Sequence, residues 1–232
     1  MKTTVDCNSF LINTMAKQTY QFAIVGMSGK GKTMSFRNMN PETTGFINAE
    51  CKPLPFVNKF KHYSTPKDWQ ETYQKLIEFA KNPDITEVVL DSFSAYVDSL
   101  LKTAREIKKG FDIWNLYNEE IGKLMYIIKR YPKDIFMTAH YEWVETEEGA
   151  IEKRVAVKGK EWKGMIESNF TITHYADMRL TADKKREYFI TLNSDGKSSA
   201  KTPPMFLTDE NEQESTNDAA NFLARVREVL NK

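Results

Sequence analysis

Cysteine is scarce in this chain: Cys7 and Cys51 are the only two, and they form no C-x-x-C pair. A disulfide framework is not indicated, and a reducing compartment fits. Histidine is scarcer than most residue types, and His62, His140 and His174 show no metal-ligand spacing. No apolar run approaches the ~20 residues that a membrane-crossing helix needs. The first residues also lack a basic stretch followed by a long apolar one, so the expectation is a soluble, unexported, cytoplasmic protein with no membrane partner. Excess charge is missing too. With 33 Lys and Arg against 32 Asp and Glu, the net charge is +1, which gives no bulk attraction to nucleic acid and leaves only local patches to provide it. What is present is an ordinary globular balance, 41% hydrophobic and 28% charged over 232 residues, enough to bury a substantial core in one α/β unit.

The stretch 20–33, YQFAIVGMSGKGKT, organises the rest. Phe22 to Val25 reads as a buried strand, and Gly26, Gly31, Lys32 and Thr33 satisfy G-x-x-x-x-G-K-[ST], the P-loop pattern. In that loop the backbone N–H groups of Gly26, Met27, Ser28, Gly29, Lys30 and Gly31 cradle phosphates, Lys32 reaches the terminal ones, and the Thr33 hydroxyl suits Mg²⁺. Lys32 to Met39 contains neither Gly nor Pro, which predicts a helix N-terminus directly after the loop.

Further strands end in polar residues. GFINAE, 45–50, reads as a second strand closing on Glu50, and ITEVVLD, 85–91, as a third closing on Asp91, a carboxylate placed to hold Mg²⁺ beside the P-loop. DIFMTA, 134–139, leads straight into His140. The stretch 51–65 between the second and third strands reads as irregular. Helical periodicity covers Trp69 to Ala80, Phe93 to Ile107 and Ile113 to Ile128, with Gly110 separating the last two. Alternation of strands and helices implies right-handed crossovers and a mainly parallel sheet with ligands at the strands' carboxyl ends. Glu50, Asp91 and His140 all fall there.

Beyond Tyr141 the texture changes to a β-hairpin. An acidic turn with Glu142, Glu145, Glu147 and Glu148 precedes a strand with Val155 and Val157 on one face and Arg154, Lys158 and Lys160 on the other. Trp143 and Trp162 lie nearby as groups able to stack bases. Two more strands, 169–180 and 186–193, flank a basic turn. A stiff loop follows at 198–204, then a polar, acidic linker over 208–217 and a last amphipathic helix on Ala219, Phe222, Leu223, Val226 and Leu230. The expected division is an N-terminal extension, 1–19, an ATPase-like domain, 20–206, and the linker with its helix, 207–232.

Over residues 20–206 the chain resembles the RecA-like ATPases, and among them the small phage nucleotide-binding proteins of the single-strand annealing recombinase type. P-loop and Asp91-Ser92 are generic to many ATPases; GFINAE, the Thr138-Ala139-His140 phrase and the Ala200-Lys201 loop discriminate more. The resemblance implies a RecA-like α/β core with a hairpin and antiparallel edge strands in its C-terminal half. It also implies ATP and Mg²⁺ as cofactors, Glu50 as the base that activates water, and His140 as the sensor of the γ-phosphate. Single-stranded DNA would meet Arg154, Lys158 and Lys160, and copies of the chain would form a ring or filament in which Lys201 is offered to a neighbour's phosphate. A single-strand binding protein is a further implied partner, and a phage origin would place the protein in its host's cytoplasm. Two other readings stay open: a P-loop kinase or other nucleotide enzyme, and a non-catalytic replication or recombination mediator that uses nucleotide as a switch.

Overall fold

A computed structural model describes residues 18–146 and 149–231. The extension expected at 1–19 therefore lies almost wholly outside the described residues, as do Glu147 and Glu148; of the extension only the end is seen, where Thr19 Oγ1 donates to Tyr131 O at 3.0 Å. The chain forms β1 (Gln21–Val25), β2 (Thr44–Asn48), β3 (His62–Ser64), α1 (Trp69–Lys81), β4 (Glu87–Asp91), α2 (Phe93–Ile107), α3 (Phe111–Lys129), β5 (Asp134–Ala139), β6 (Tyr141–Glu145), β7 (Ile151–Val155), β8 (Ile172–Leu180), β9 (Arg186–Thr191), β10 (Glu214–Thr216) and α4 (Ala219–Leu230).

Eight strands make one sheet in the order β10-β9-β8-β1-β5-β4-β2-β3. Pairing is parallel from β8 through β1, β5, β4 and β2 to β3, and antiparallel where β9 joins β8 and β10 joins β9. The expected α/β class, with a mainly parallel sheet and antiparallel strands at one edge, is what the chain adopts. β6 and β7 pair with each other as a separate hairpin, bridged through Lys153 to Ser198 in the loop after β9.

Side-chain alternation along buried strands builds two cores. Ala23, Val25, Val88, Leu90, Ile135 and Met137 face α1, α2 and α3. Phe22, Ile24, Phe46, Val89 and Phe136 face the other way, toward Phe36, Met39 and the apolar stripe of α4. Helix starts are capped as side-chain chemistry dictates: Asp68 accepts from Glu71 N, Ser92 from Ala95 N, and Asp218 from Ala220 N and Asn221 N.

Several expectations are corrected. The segment after the P-loop is a four-residue 3-10 turn, Thr33–Phe36, and not a full helix. Pro41 disfavours helix at the residue before it, while Arg37 and Asn38 are turned toward the C-terminal segment, where Arg37 donates to Asn217 O at 2.8 Å and Asn38 to Asp218 Oδ2 at 2.6 Å. The stretch read as irregular carries β3, and the stretch read as an acidic linker carries β10. Both are three-residue edge strands, too short to show periodicity. α4 is no appendage: Phe222, Leu223 and Val226 are buried in the second core. Arg227 reaches Glu87 at 2.7 Å and Asp134 at 2.9 Å, both buried at the amino ends of β4 and β5.

Candidate nucleotide site

β1 ends at Val25, and the chain turns at once into the glycine-rich loop, with Gly26 N bonded to Ala139 O at 3.0 Å. Gly29 and Gly31 adopt φ of +75° and +87°, the left-handed region in which a side chain is costly. Gly26 packs so closely on β8 that a Cβ there would stand 2.6 Å from Ala176 O. A glycine-rich turn of this kind is the backbone setting in which N–H groups can concentrate positive potential for an anion. Lys32 is buried in this loop, and its Nζ donates to Met27 O at 3.0 Å. Burial pushes its ammonium pKa down, against the pull of Asp91 and Glu50.

The carboxyl ends of β4, β2 and β5 bring the polar groups to the loop. Asp91, the last residue of β4, is buried. Thr33 Oγ1 donates to its Oδ2 at 2.8 Å, and Thr138 Oγ1, from β5, to its Oδ1. Burial raises the carboxyl pKa; the two hydroxyls oppose that rise. Glu50 lies two residues past β2, and its Oε1 accepts from Ser92 Oγ at 3.1 Å while Oε2 takes Lys52 Nζ at 3.1 Å. Burial pulls Glu50 upward, but the bonds from Lys52 and Ser92 and the charges of Lys52 and Lys32 outweigh it and leave its pKa below the usual carboxylate value, so it is ionised at neutral pH. The backbone N–H of His140 donates to Ser94 Oγ at 2.9 Å. Burial, reinforced by Lys32, lowers its imidazole pKa, which keeps the ring neutral at pH 7.

Lys32, Thr33, Glu50 and His140 line one cleft of about 400 Å³, together with Ser28, Gly29, Gly31, Met34, Lys52, Pro55 and Tyr188. Asp91 is linked to it through its bond with Thr33. Among the described residues no group of three or more His, Cys, Asp or Glu could hold a metal by itself. The hard oxygens of Thr33 and Asp91 fit a Mg²⁺ that takes its remaining ligands from phosphate and water. A larger hollow of about 510 Å³ between α2, α3 and Lys158-Gly159 lies away from the loop. Its Asp98 and Glu106 offset Lys102, Arg105 and Lys158, and of the motif residues it contains only Lys158.

The residues assigned to DNA are not gathered. β7 stops at Val155, so Lys158 and Lys160 leave the strand for a turn in which Lys158 N donates to Tyr117 OH of α3 at 3.2 Å. Arg154 is neutralised by Glu152 at 2.6 Å. Trp162 packs against the core, its Nε1 bonded to Asn118 O at 3.2 Å. The expectation of one basic face is thereby corrected, because the strand ends before the lysines. The opposite face of the hairpin is buried at Val155 and opens toward the turn, where Trp143 is 52% and Ile151 61% exposed. Lys153 Nζ, directly across from Trp143, stands 5.6 Å from its ring centroid and 5.3 Å from that of Tyr141. Lys201 lies outside the cleft, its backbone paired with Thr173 through two 2.9 Å bonds. Burial lowers its ammonium pKa, against Glu167.

Sequence reasoning missed Tyr188, Lys52, Pro55 and Asn217. Asn217 Nδ2 donates to Gly31 O at 2.9 Å from 186 positions away, and no local pattern marks it. Lys30 also has an unforeseen partner, Asp177 of β8, at 2.7 Å.

A family model described as an AAA domain matches residues 18–203. Among curated proteins there is no match. Among solved structures, a KaiC-like protein from the hyperthermophilic archaeon Pyrococcus horikoshii is similar at 11% identity and a TM-score of 0.47, over 77% of this chain and 80% of that one.

Proposed function

Because the chain belongs to the AAA-domain family of nucleotide-binding P-loop ATPases, we propose that it binds and hydrolyses ATP in the cleft described above. The observation that carries this reading is the bond of 2.8 Å from Thr33 to Asp91, with ionised Glu50 and Lys32 lining the same cleft. Loop amides and Lys32 hold the β- and γ-phosphates and stabilise charge developing on them. Glu50, ionised and fixed by Ser92, accepts a hydrogen bond from water and aims it at the γ-phosphorus. Mg²⁺, when bound, neutralises phosphate charge, and Thr33 and Asp91 are the residues that would hold it. Neutral His140 faces the same space and can donate to the terminal phosphate.

Lys32→Ala should abolish nucleotide binding and turnover, whereas Glu50→Gln should bind nucleotide and fail to hydrolyse it. Wild-type turnover by Glu50→Gln removes this residue from the mechanism.

The finer reading is a RecA-like recombination ATPase of the phage type that acts on single-stranded DNA. What supports it is the hairpin directly after His140, whose Tyr141 and Trp143 offer stacking surface beside Lys153, a cation that Asp177 approaches at 4.0 Å. Trp143→Ala should weaken binding of a fluorescent oligonucleotide by roughly tenfold, in line with ~1–3 kcal/mol for a stacked base. Turnover measured with and without single-stranded DNA separates this reading from a kinase or a nucleotide switch. A trans role for Lys201 requires an assembled ring or filament. Lys201→Ala should then lower turnover without changing nucleotide affinity, and a monomer that turns over at the full rate rules that role out.

A further inference from the structure

The order of strands divides the surroundings of the phosphate loop. On one side of β1 lie β5, β4 and β2, which supply His140, Asp91 and Glu50; on the other lie β8 and β9. A nucleotide whose reactive end meets Glu50 and Asp91 must send its other end toward β8 and β9. On that side the cleft is lined by Tyr188 of β9, the one aromatic ring among its wall residues apart from the His140 imidazole. Tyr188 is half-buried and seated against the loop itself. A Cβ on Gly31 would stand 2.9 Å from Tyr188 Cδ1 and 2.5 Å from Asn217 Nδ2, so the ring and the loop backbone touch only because position 31 is glycine. Asn217 fixes the same corner through its bond to Gly31 O.

We propose that Tyr188 is the platform on which the base of the bound nucleotide stacks, and that Asn217 is a positioning residue holding Gly31 in register with that ring. The proposal rests on the phosphate-site reading above. A flat π surface accepts any base but gains most from a purine, so it separates nucleosides from bare polyphosphates and favours purines over pyrimidines.

Calorimetric titration of the full chain with ADP and with inorganic pyrophosphate tests it. Wild type should bind ADP about tenfold or more tighter than pyrophosphate, as stacking of one base permits. Tyr188→Leu, which keeps apolar bulk without the π face, should bring the ADP and pyrophosphate affinities close to each other, and Tyr188→Phe should keep the wild-type ratio. Tyr188→Trp should show fluorescence quenching with ADP and none with pyrophosphate, a signal that a merely structural ring would not give. Asn217→Ala should weaken both ligands together. Wild-type ADP affinity in Tyr188→Leu, or equal wild-type affinity for ADP and pyrophosphate, overturns the platform and leaves the phosphate site standing. Absence of binding to either ligand by wild type sinks the phosphate site itself.

Discussion

Single residues decide how the loop holds its shape, and two glycines there make a paired prediction. Gly29 and Gly31 share positive φ, but a Cβ at Gly29 meets nothing within 4 Å, whereas at Gly31 it collides with Tyr188 and Asn217. Gly29→Ala should cost only the left-handed backbone, about 1–2 kcal/mol. Gly31→Ala should cost more and also displace the ring and the amide, which equilibrium unfolding and nucleotide titration would measure. A second residue-scale prediction concerns His174, buried on β8. Thr202 gives its hydroxyl proton to Leu192 O at 2.9 Å, so it must accept from His174 Nε2 at 3.0 Å, which fixes the tautomer. Burial, with Arg225 adding to it, depresses the His174 pKa to about 3. A folded-state pKa below the unfolded value means stability that is present above the ordinary histidine pKa and is lost as pH falls toward about 3. Between pH 6.5 and 5 the loss should be roughly 1.5–2 kcal/mol. Urea unfolding at a series of pH values should show that slope, reduced in His174→Gln.

At the scale of elements, what was legible in the sequence was what is coded locally. β1 with its loop, β4 ending on Asp91, β5 ending before His140, and the helices α2 and α3 each carry their own apolar period. β3 and β10 do not, because a three-residue edge strand is made by its partner and not by its own pattern. The short turn after Thr33 escaped for a related reason: α4 and the Asn217-Asp218 pair, not helix propensity, shape 33–40. α4 itself was readable as amphipathic, but its docking was not. That docking depends on Arg227, whose guanidinium lies between the buried carboxylates of Glu87 and Asp134. Removing it leaves two buried acids without their cation, so Arg227→Met should destabilise by about 3–5 kcal/mol. Thermal melting would register the loss, and an Arg227→Lys variant should recover only part of it because the planar fork is gone.

Across the whole molecule, the site is a meeting of distant segments, and that governs how much of it could be foreseen. The convergence of Glu50, Asp91 and His140 on the P-loop follows from parallel-sheet topology, which places strand ends together. The nucleoside side follows from nothing local: Tyr188 and Asn217 arrive from the antiparallel edge and the β10–α4 junction. The hairpin illustrates the converse, since alternation placed Val155 and Arg154 on opposite faces but could not show that β7 stops at Val155, before Lys158 and Lys160. A chain truncated after residue 213 removes β10, Asn217 and α4 together and uncovers Phe22, Phe36 and Phe136. It should lose cooperative unfolding and nucleotide binding alike, as calorimetry would report.

The bond from Asn217 to Gly31 also sets an order of events during synthesis. The wall of the phosphate loop is finished only by a residue that leaves the ribosome 186 positions after the loop itself. Nascent chains arrested short of that point should be unable to retain nucleotide, so ligand capture waits for Asn217 and cannot guide the folding that precedes it.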